Sequence, residues 1–196
     1  MKRRGMLLVV SAPSGAGKTT IVKEVLRQYP SFGFSVSATT RQKRQGEVDG
    51  KDYFFISRGE FEKRIADGEL VEFEEIYSNY YGTLKSEVEK ALSNGNDIVF
   101  DVDVNGGLSI KAKFPEAVLI FVKPPSMEIL RKRLEGRGSE TAEQIDGRMA
   151  RVQMELEKGE QFDYIIINDE LKRAVNEVFD IINKKRKEFS SGTEAD

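Results

Sequence analysis

A stretch of small residues near the amino terminus has the types and spacing needed to bind phosphate groups. Its residues are Ala12, Pro13, Ser14, Gly15, Ala16, Gly17, Lys18 and Thr19. Small residues let successive backbone N–H groups turn toward a phosphate, and a helix that begins at the lysine adds its dipole. Lys18 would reach the β and γ phosphates of a nucleoside triphosphate, and the Thr19 hydroxyl would bind Mg²⁺. Glycine is usual at the position of Ala12, where alanine is tolerated if φ is negative. A glycine-rich turn that binds nothing is the alternative.

Two aspartates close a second stretch that could take part in the same chemistry. Asp101 and Asp103 end the apolar run DIVFDVDV, which starts at residue 97. The carboxyl ends of strands in a parallel sheet line the ligand crevice, so both would face the phosphate-binding loop. Strand alternation predicts both side chains on one face, where one would orient Mg²⁺ through water and the other would hold an acceptor group. The alternative is a pair of solvated aspartates.

A third group of polar and aromatic residues lies between positions 37 and 83. It consists of Ser37, Arg41, Arg44, Tyr53, Glu72, Tyr81 and Thr83. Taken separately, the arginines could be a solvated run of charge and the tyrosines an aromatic pair on a strand face. Their joint spacing favours a binding site instead.

The composition excludes several kinds of site. The chain has neither cysteine nor histidine, which removes disulfides, thiolate zinc sites, cysteine nucleophiles and the commonest general base. Its 31 lysines and arginines nearly balance 33 aspartates and glutamates, so we expect no nucleic-acid or membrane-surface partner. No stretch approaches the ~18 apolar residues of a membrane span, and with the absence of cysteine this predicts a cytoplasmic protein. The oligomeric state stays open.

The elements that must position these residues follow from four short apolar runs with helical segments between them. The runs are MLLVV at 6, DIVFDVDV at 97, AVLIFV at 117 and YIIIN at 164. Runs without alternation predict strands that are covered on both faces, and helical crossovers between them predict an α/β fold with a parallel sheet flanked by helices. The predicted helices span Lys18 to Gln28, Leu84 to Ser93, Ser126 to Leu134, Thr141 to Lys158 and Glu170 to Glu188.

The region from 32 to 83 interrupts this pattern. Its segments FSVSATT, KDYFFIS and LVEFEEIYS alternate as half-buried strands do, with one short helix near Glu60 to Ala66. We therefore expect an inserted antiparallel subdomain over 35–83, within a core formed by 1–34 and 84–190. The glycine-bearing segment EGRGSETAEQ at 135 to 144 predicts a mobile lid over about 126–155, with a helix-capping pattern from Thr141 to Gln144. The tail over 191–196 is expected to be disordered.

Several of these motifs together resemble guanylate kinase, a family of P-loop nucleoside monophosphate kinases. They are FGFSVSATTRQKRQGEVDGKDYFF, VEFEEIYSNYYGT, FDVDVNG, PPSMEILRKRLEGRG and IIIND. The resemblance runs from about Leu7 to Arg186. The combination of SATTRQKRQGE and NYYGT is far more specific than the phosphate-binding loop alone.

The resemblance implies a role for each residue of the third group. Arg41, Arg44, Tyr53 and Tyr81 would bind the phosphate of GMP, and Ser37, Glu72 and Thr83 would hold the guanine with help from Asp103. The chemistry agrees, because guanine presents adjacent N1–H and N2–H donors that one carboxylate can accept and an O6 that a hydroxyl can satisfy. Two arginines and two phenols suit a dianionic phosphate.

The resemblance also implies residues that bind the donor nucleotide. Arg133, Arg137 and Arg148 match the arginines that close over ATP, where charge spreads across the transferring phosphoryl group. Arg131 and Lys132 have no such match and are interpreted as surface charge. Asn168 and Asp169 would lie near the adenine, although a turn and helix cap explains them equally well.

The activity implied is transfer of the γ-phosphoryl group of ATP to GMP with Mg²⁺, giving ADP and GDP. A nucleotide phosphate with a second pKa near ~6 is already mostly ionised at pH 7, so the lack of histidine poses no difficulty. One alternative is a kinase for another small phosphorylated acceptor. The other is a noncatalytic guanylate-kinase-like interaction module, which the intact Gly17-Lys18-Thr19 and the lid arginines disfavour.

Overall fold

A computed structural model describes residues 5–76, 78–136 and 141–191 of the chain. The strands are β1 (Leu7–Ser11), β2 (Phe32–Phe34), β3 (Ser37–Thr39), β4 (Phe54–Phe55), β5 (Leu70–Ile76), β6 (Asn79–Leu84), β7 (Asp97–Asp101), β8 (Val118–Lys123) and β9 (Tyr164–Ile167). The helices are α1 (Lys18–Gln28), α2 (Arg58–Ala66), α3 (Lys85–Ser93), α4 (Val104–Lys113), α5 (Met127–Glu135), α6 (Ala142–Gly159) and α7 (Leu171–Ser191). Within those ranges, no helix combines the length and apolar character needed to cross a membrane. The tail predicted to be disordered lies outside the described residues, apart from Ser191 at the end of α7.

Five parallel strands form the central sheet, in the order β2-β7-β1-β8-β9. β1 lies in the middle and is buried along its whole length. Its side chains alternate between two core clusters, with Leu8 and Val10 in one and Leu7 and Val9 in the other. Both faces of the sheet are therefore covered, which explains the continuous apolar runs and confirms the predicted α/β fold.

Four strands form a second sheet, in the order β4-β3-β6-β5. β6 pairs antiparallel with β3 and β5, whereas β3 and β4 run parallel. The expectation of a wholly antiparallel sheet is therefore wrong, because the segment between Thr39 and Phe54 is long enough to return the chain to the same end. The predicted strand FSVSATT also divides: Phe34 ends β2 in the central sheet and Ser37 begins β3 in the second. The chain passes from the central sheet to the second sheet there and leaves the second sheet after Leu84. The division into a core and an insertion stays a prediction.

The helices predicted outside the second sheet lie where the sequence places them, to within three residues at their ends. At the start of α6, Thr141 Oγ1 accepts from the Gln144 N–H and the Gln144 side chain accepts from the Thr141 N–H, which confirms the capping pattern. Helix α2 is confirmed as well.

Helix α4 is an element that the sequence analysis did not predict. β7 ends at Asp101, and the Asp103 side chain caps α4 by accepting a 2.8 Å hydrogen bond from the Gly106 N–H. The expectation that both aspartates end one strand face is therefore wrong. Gly106 and Gly107 lower helix propensity, yet the packing requires them: a Cβ on Gly107 would lie 2.7 Å from the Phe162 ring.

Candidate active site

The phosphate-binding loop connects β1 to α1, as its sequence predicts. Gly15 and Gly17 have φ values of 91° and 101°, a region that favours glycine. A Cβ on Gly17 would also lie 2.3 Å from Asn168 Nδ2, so a side chain there would displace the loop. Ser78 is the one non-glycine residue with positive φ in the described part of the chain. Ala12 therefore meets the condition on which its tolerance depends.

Lys18 is held by the carboxyl end of β7, the strand beside β1. Its Nζ lies 2.6 Å from Asp101 Oδ1 and donates a 3.0 Å hydrogen bond to the Val102 carbonyl. Thr19 Oγ1 donates to Asp101 Oδ2 at 3.5 Å. The parallel register pairs Val10 with Asp101, so the strand ends meet where the loop begins. An ammonium, a hydroxyl and a carboxylate thus share the place where transferring phosphates would lie.

Two arginines from the region predicted as a lid bind the phosphate-binding loop and Asn168, a residue that contacts the loop. Arg148 on α6 donates a hydrogen bond to Ser14 Oγ. Arg133 on α5 donates a 2.9 Å bond to the carbonyl of Asn168, whose side chain is buried and donates a 2.7 Å bond to the carbonyl of Ala16. Asn168 therefore fixes the loop and orients an arginine.

A cavity of about 300 Å³ opens beside the loop. Its charged groups come from Lys18, Asp103, Arg148, Arg151 and Glu155, and its hydroxyl groups come from Ser14, Thr19 and Thr20. The volume lies at the lower end of what small-molecule sites enclose, ~300–1,000 Å³. The cationic groups, which α1 and α6 contribute, suit a polyanionic ligand.

Three residues that are predicted to bind the nucleotide base lie opposite one another on adjacent strands of the second sheet. Ser37 on β3 and Glu72 on β5 both pair with Thr83 on β6, so their side chains share one face. Thr83 Oγ1 donates a 2.6 Å hydrogen bond to Glu72 Oε1. Burial raises the pKa of Glu72 to about 7, an effect that the Thr83 hydrogen bond opposes and the charge of Asp103 reinforces. A carboxylate that burial destabilises gains most from a ligand that donates hydrogen bonds.

A second cluster on the same sheet carries the predicted phosphate-binding residues. Arg41 forms a double hydrogen bond to Glu47, of 2.7 and 3.1 Å, and its guanidinium lies 5.3 Å from the centre of the Tyr53 ring. Tyr53 and Tyr81 meet edge to face with ring centres 6.1 Å apart. Burial raises the pKa of the Tyr53 phenol, and the charge of Asp101 is the next cause. The charge of the aspartate that binds Lys18 therefore acts on this cluster.

Glu47 organises the arginines of that cluster. Besides binding Arg41, it accepts a 2.7 Å hydrogen bond from the backbone N–H of Arg44, whose side chain is exposed. These bonds, with that from Arg41 the larger, lower the pKa of Glu47 to about 2. A phosphate dianion that binds the Arg41 guanidinium would have to compete with this carboxylate.

A family model described as "Guanylate kinase" matches residues 4–185. The chain belongs to the guanylate kinase family. It is 48% identical over 181 residues to "Guanylate kinase" of Symbiobacterium thermophilum, covering 92% of this chain and 86% of that one. It is 49% identical over 176 residues to "Guanylate kinase" of Chlorobaculum tepidum, with 89% and 90% covered. The crystal structure of guanylate kinase from Anaplasma phagocytophilum has a TM-score of 0.77 and 31% identity, with 94% and 87% covered. The resemblance inferred from the motifs and the P-loop kinase fold are confirmed.

Within this guanylate kinase fold, some predicted site residues lie apart from the cavity. Asp169 is exposed, accepts a 2.6 Å bond from the Glu170 N–H and pairs with Arg173 at 2.7 Å, as a residue at a helix start does. Arg133 binds a backbone carbonyl and is not among the residues that line the cavity. Arg137 lies outside the described residues. Arg131 pairs with Asp146 at the surface, in agreement with its interpretation as surface charge.

The sequence analysis missed three charged residues near the cavity, Glu74, Arg151 and Glu155. Arg151 donates from Nη2 to Glu74 Oε1 at 2.7 Å and to Asp103 Oδ2 at 2.9 Å, and its Nε lies 3.4 Å from Glu155 Oε1. Burial raises the pKa of Glu155 to about 7, which the charge of Arg151 partly offsets. Arg148, Arg151 and Glu155 follow the spacing of one helix face, which could have identified them once Arg148 was assigned.

Proposed function

We propose that this guanylate kinase homologue transfers the γ-phosphoryl group of ATP to GMP in the presence of Mg²⁺, giving ADP and GDP. One observation carries the proposal: a buried carboxylate, Glu72, lies in register with two hydroxyl residues, Ser37 and Thr83, on the sheet face that also bears the tyrosines. The relatives named above are guanylate kinases by name. GMP would bind to the insertion over 35–83, and ATP to the core and its lid.

Guanine suits this line of three side chains. Its N1–H and N2–H donors would both bond to the Glu72 carboxylate, and its O6 would accept from a hydroxyl of Ser37 or Thr83. Asp103 would assist through its free acceptor capacity, although it also caps α4 and binds Arg151. Adenine offers a bare C2 and an unprotonated N1 at the same edge, so it would leave the carboxylate without a donor.

The phosphate of GMP would bind to Arg41, Arg44, Tyr53 and Tyr81. Arg41 and the tyrosines already form a cluster, held by Glu47 and by ring contacts. Asp101, which binds Lys18, acts on Tyr53 through its charge, so the acceptor phosphate would lie close to Lys18 and to the donor phosphates. Short distance and fixed orientation supply much of the catalysis in phosphoryl transfer.

The triphosphate of ATP would bind to the backbone of the loop from Ala12 to Thr19. Lys18 would contact the β and γ phosphates, and Arg148, which already binds Ser14, would stabilise charge on the transferring group. We assign Arg137 and Arg133 to the same charge stabilisation from the sequence resemblance. Asn168 would lie on the adenine side of the loop, with Asp169 beside it.

Mg²⁺ fits the residues present at the loop. The described residues contain no group of three or more acidic, histidine or cysteine side chains that could hold a metal ion alone. Mg²⁺ bound with a nucleotide takes most of its ligands from phosphates and water and needs one or two protein oxygens. Thr19 and Asp101 offer a hydroxyl and a carboxylate oxygen 3.5 Å apart. When bound, the ion would neutralise charge on the β and γ phosphates.

A panel of acceptors tests the proposal against a kinase for another acceptor and against a noncatalytic module. AMP, GMP, CMP and UMP are each supplied with ATP and Mg²⁺, and ADP formation is measured. We expect turnover with GMP far above that with the other three. Equal use of AMP and GMP would contradict the guanine assignment, and no turnover with any acceptor would favour the interaction module.

A further inference from the structure

Strand β5 contains an irregularity immediately before Glu72. Leu70 pairs with Leu84 and Glu72 pairs with Thr83, so two residues of β5 advance against one of β6. Val71 is the extra residue, and it is buried in the core beneath the central sheet, whereas Leu70 packs in the separate cluster around Phe61. This pattern is a β-bulge, which re-aims the side chains that follow it.

The bulge decides which face of the sheet Glu72 occupies. Residues directly opposite each other in an antiparallel pair point to the same face, and neighbours along a strand point to opposite faces. In a regular strand, Glu72 would therefore lie on the face of Leu70 and Leu84, among the apolar side chains. With Val71 inserted, it lies on the face of Thr83 and accepts that residue's hydroxyl. The base-reading position of Glu72 thus depends on the bulge.

One side chain outside the sheet binds the backbone of the bulge. Lys113, the last residue of α4, donates from Nζ to the carbonyl of Leu70 at 3.2 Å and to the carbonyl of Val71. The other end of α4 touches Glu72 directly, since a Cβ on Gly106 would lie 2.8 Å from Glu72 Oε2. The helix therefore holds Glu72 at the carboxylate and at the backbone that precedes it.

We propose that Lys113 is a positioning residue for base selectivity, because it fixes the bulge that turns Glu72 toward the guanine site. Lys113 would contact neither nucleotide and would act through the two carbonyl oxygens that it binds. The inference rests on the proposed function and adds to it the residue that keeps the Glu72 carboxylate directed at the guanine site. An ammonium that binds two carbonyls at once is a stronger support than a neutral side chain.

The charged groups that face Glu72 allow a readout that a merely structural role would not change. Thr83 from β6 donates to the carboxylate, while Asp103 and Lys113 act on it from the two ends of α4. Lys113 lowers the pKa of Glu72 through its charge. Without that ammonium, Glu72 would keep its proton up to a higher pH. The loss of guanine binding on acidification would then begin at a higher pH.

The experiment compares four variants of the full chain with the unchanged protein. Lys113→Met removes the ammonium, Lys113→Gln keeps an uncharged donor group, and Lys113→Arg keeps the charge. Lys111→Met is the matched control, since Lys111 lies on the same helix and binds the Ala117 carbonyl and Asp163 away from the site. The measurements are kcat and KM for GMP and AMP at saturating ATP and Mg²⁺, over pH values on both sides of the Glu72 pKa.

We expect Lys113→Met to raise KM for GMP by roughly 10-fold, as small displacements of a positioned group do, and to lower the GMP-to-AMP selectivity. Its acid limb in kcat/KM for GMP should move to higher pH, Lys113→Arg should restore the original profile, and Lys111→Met should change neither quantity. Lys113→Gln should fall between, and it replaces Lys113→Met if that variant does not fold. Unchanged selectivity, equal losses for both nucleotides, or equal losses in the control would overturn the inference. Absence of GMP preference in the unchanged protein would instead contradict the proposed function.

Discussion

Lys18 Nζ lies 2.6 Å from Asp101 Oδ1, so the lysine of the phosphate-binding loop is paired with the end of the neighbouring strand. A second bond of 3.0 Å to the Val102 carbonyl fixes the ammonium from the same direction. These partners hold the lysine in place where a triphosphate would arrive. Preorganised charge of this kind stabilises a transition state without reorganisation during the reaction.

We expect Lys18→Met to lose turnover by at least ~100-fold, the usual effect of removing one preorganised electrostatic contact. Its affinity for GMP should stay close to that of the unchanged protein, because the lysine would contact the donor phosphates only. Steady-state kinetics and calorimetric titration with GMP measure the two quantities. Lys23→Met, an exposed lysine on the same helix, is the control. Loss of GMP affinity together with turnover would show that the donor and acceptor sites are not separate.

The sequence predicts the parts of the site whose residues are contiguous or adjoin a strong pattern. The loop from Ala12 to Thr19 needs only a strand, small residues and a helix start, all of which are local. The roles of Ser37, Glu72 and Thr83 came from a family resemblance, and the strand register that aligns them became visible only in the structure. The local rules that place elements cannot by themselves place residues that meet through pairing of distant strands.

The features that the sequence analysis missed depend on tertiary contacts. Helix α4 contains Gly106 and Gly107, which disfavour a helix locally but are needed where Glu72 and Phe162 pack against it. The bulge at Val71 shifts the alternation of β5, so that Glu72 lies on the face opposite that of Leu70. A regular alternating pattern does not predict this. Arg151 binds residues that lie 77 and 48 positions away, and no spacing rule connects them.

Glu72 should make the stability of the unliganded protein depend on pH. Burial raises its pKa from 4.5 to about 7, so the folded state holds a proton that the unfolded state has lost between those values. Stability is therefore lost as pH rises from about 4.5 toward 7, by on the order of 3 kcal/mol. Glu72→Gln does not titrate and should gain stability relative to the unchanged protein over this range. Denaturant unfolding at several pH values checks this, with exposed Glu75→Gln as the control; a constant difference would contradict the raised pKa.

Arg151 joins α6 to β5 and to the cap of α4, and its removal should loosen all three. Arg151→Met leaves Glu74, Asp103 and Glu155 close together without their cation, and we expect a loss of about 1.5–3 kcal/mol in the free energy of unfolding. Adding Asp103→Asn should recover part of that loss, because it removes one of the repelling charges. Gln153→Met, at an exposed position of α6, is the control. Additive effects of the two changes in a double-mutant cycle would show that Arg151 and Asp103 are not coupled.

Base selectivity is the property that tests the account most directly, and the measurement is the ratio of kcat/KM for GMP to that for AMP in the unchanged protein and in Glu72→Gln. A site built around a buried hydrogen bond can reject the wrong base by ~10⁴-fold, and we expect a preference of that order. Glu72→Gln should lose a large part of it, because the amide presents a donor where guanine needs an acceptor. Arg44→Ala should lower kcat/KM for both nucleotides alike, since phosphate contacts carry no information about the base. An unchanged ratio in Glu72→Gln would contradict the assignment of Glu72 as the residue that reads the base.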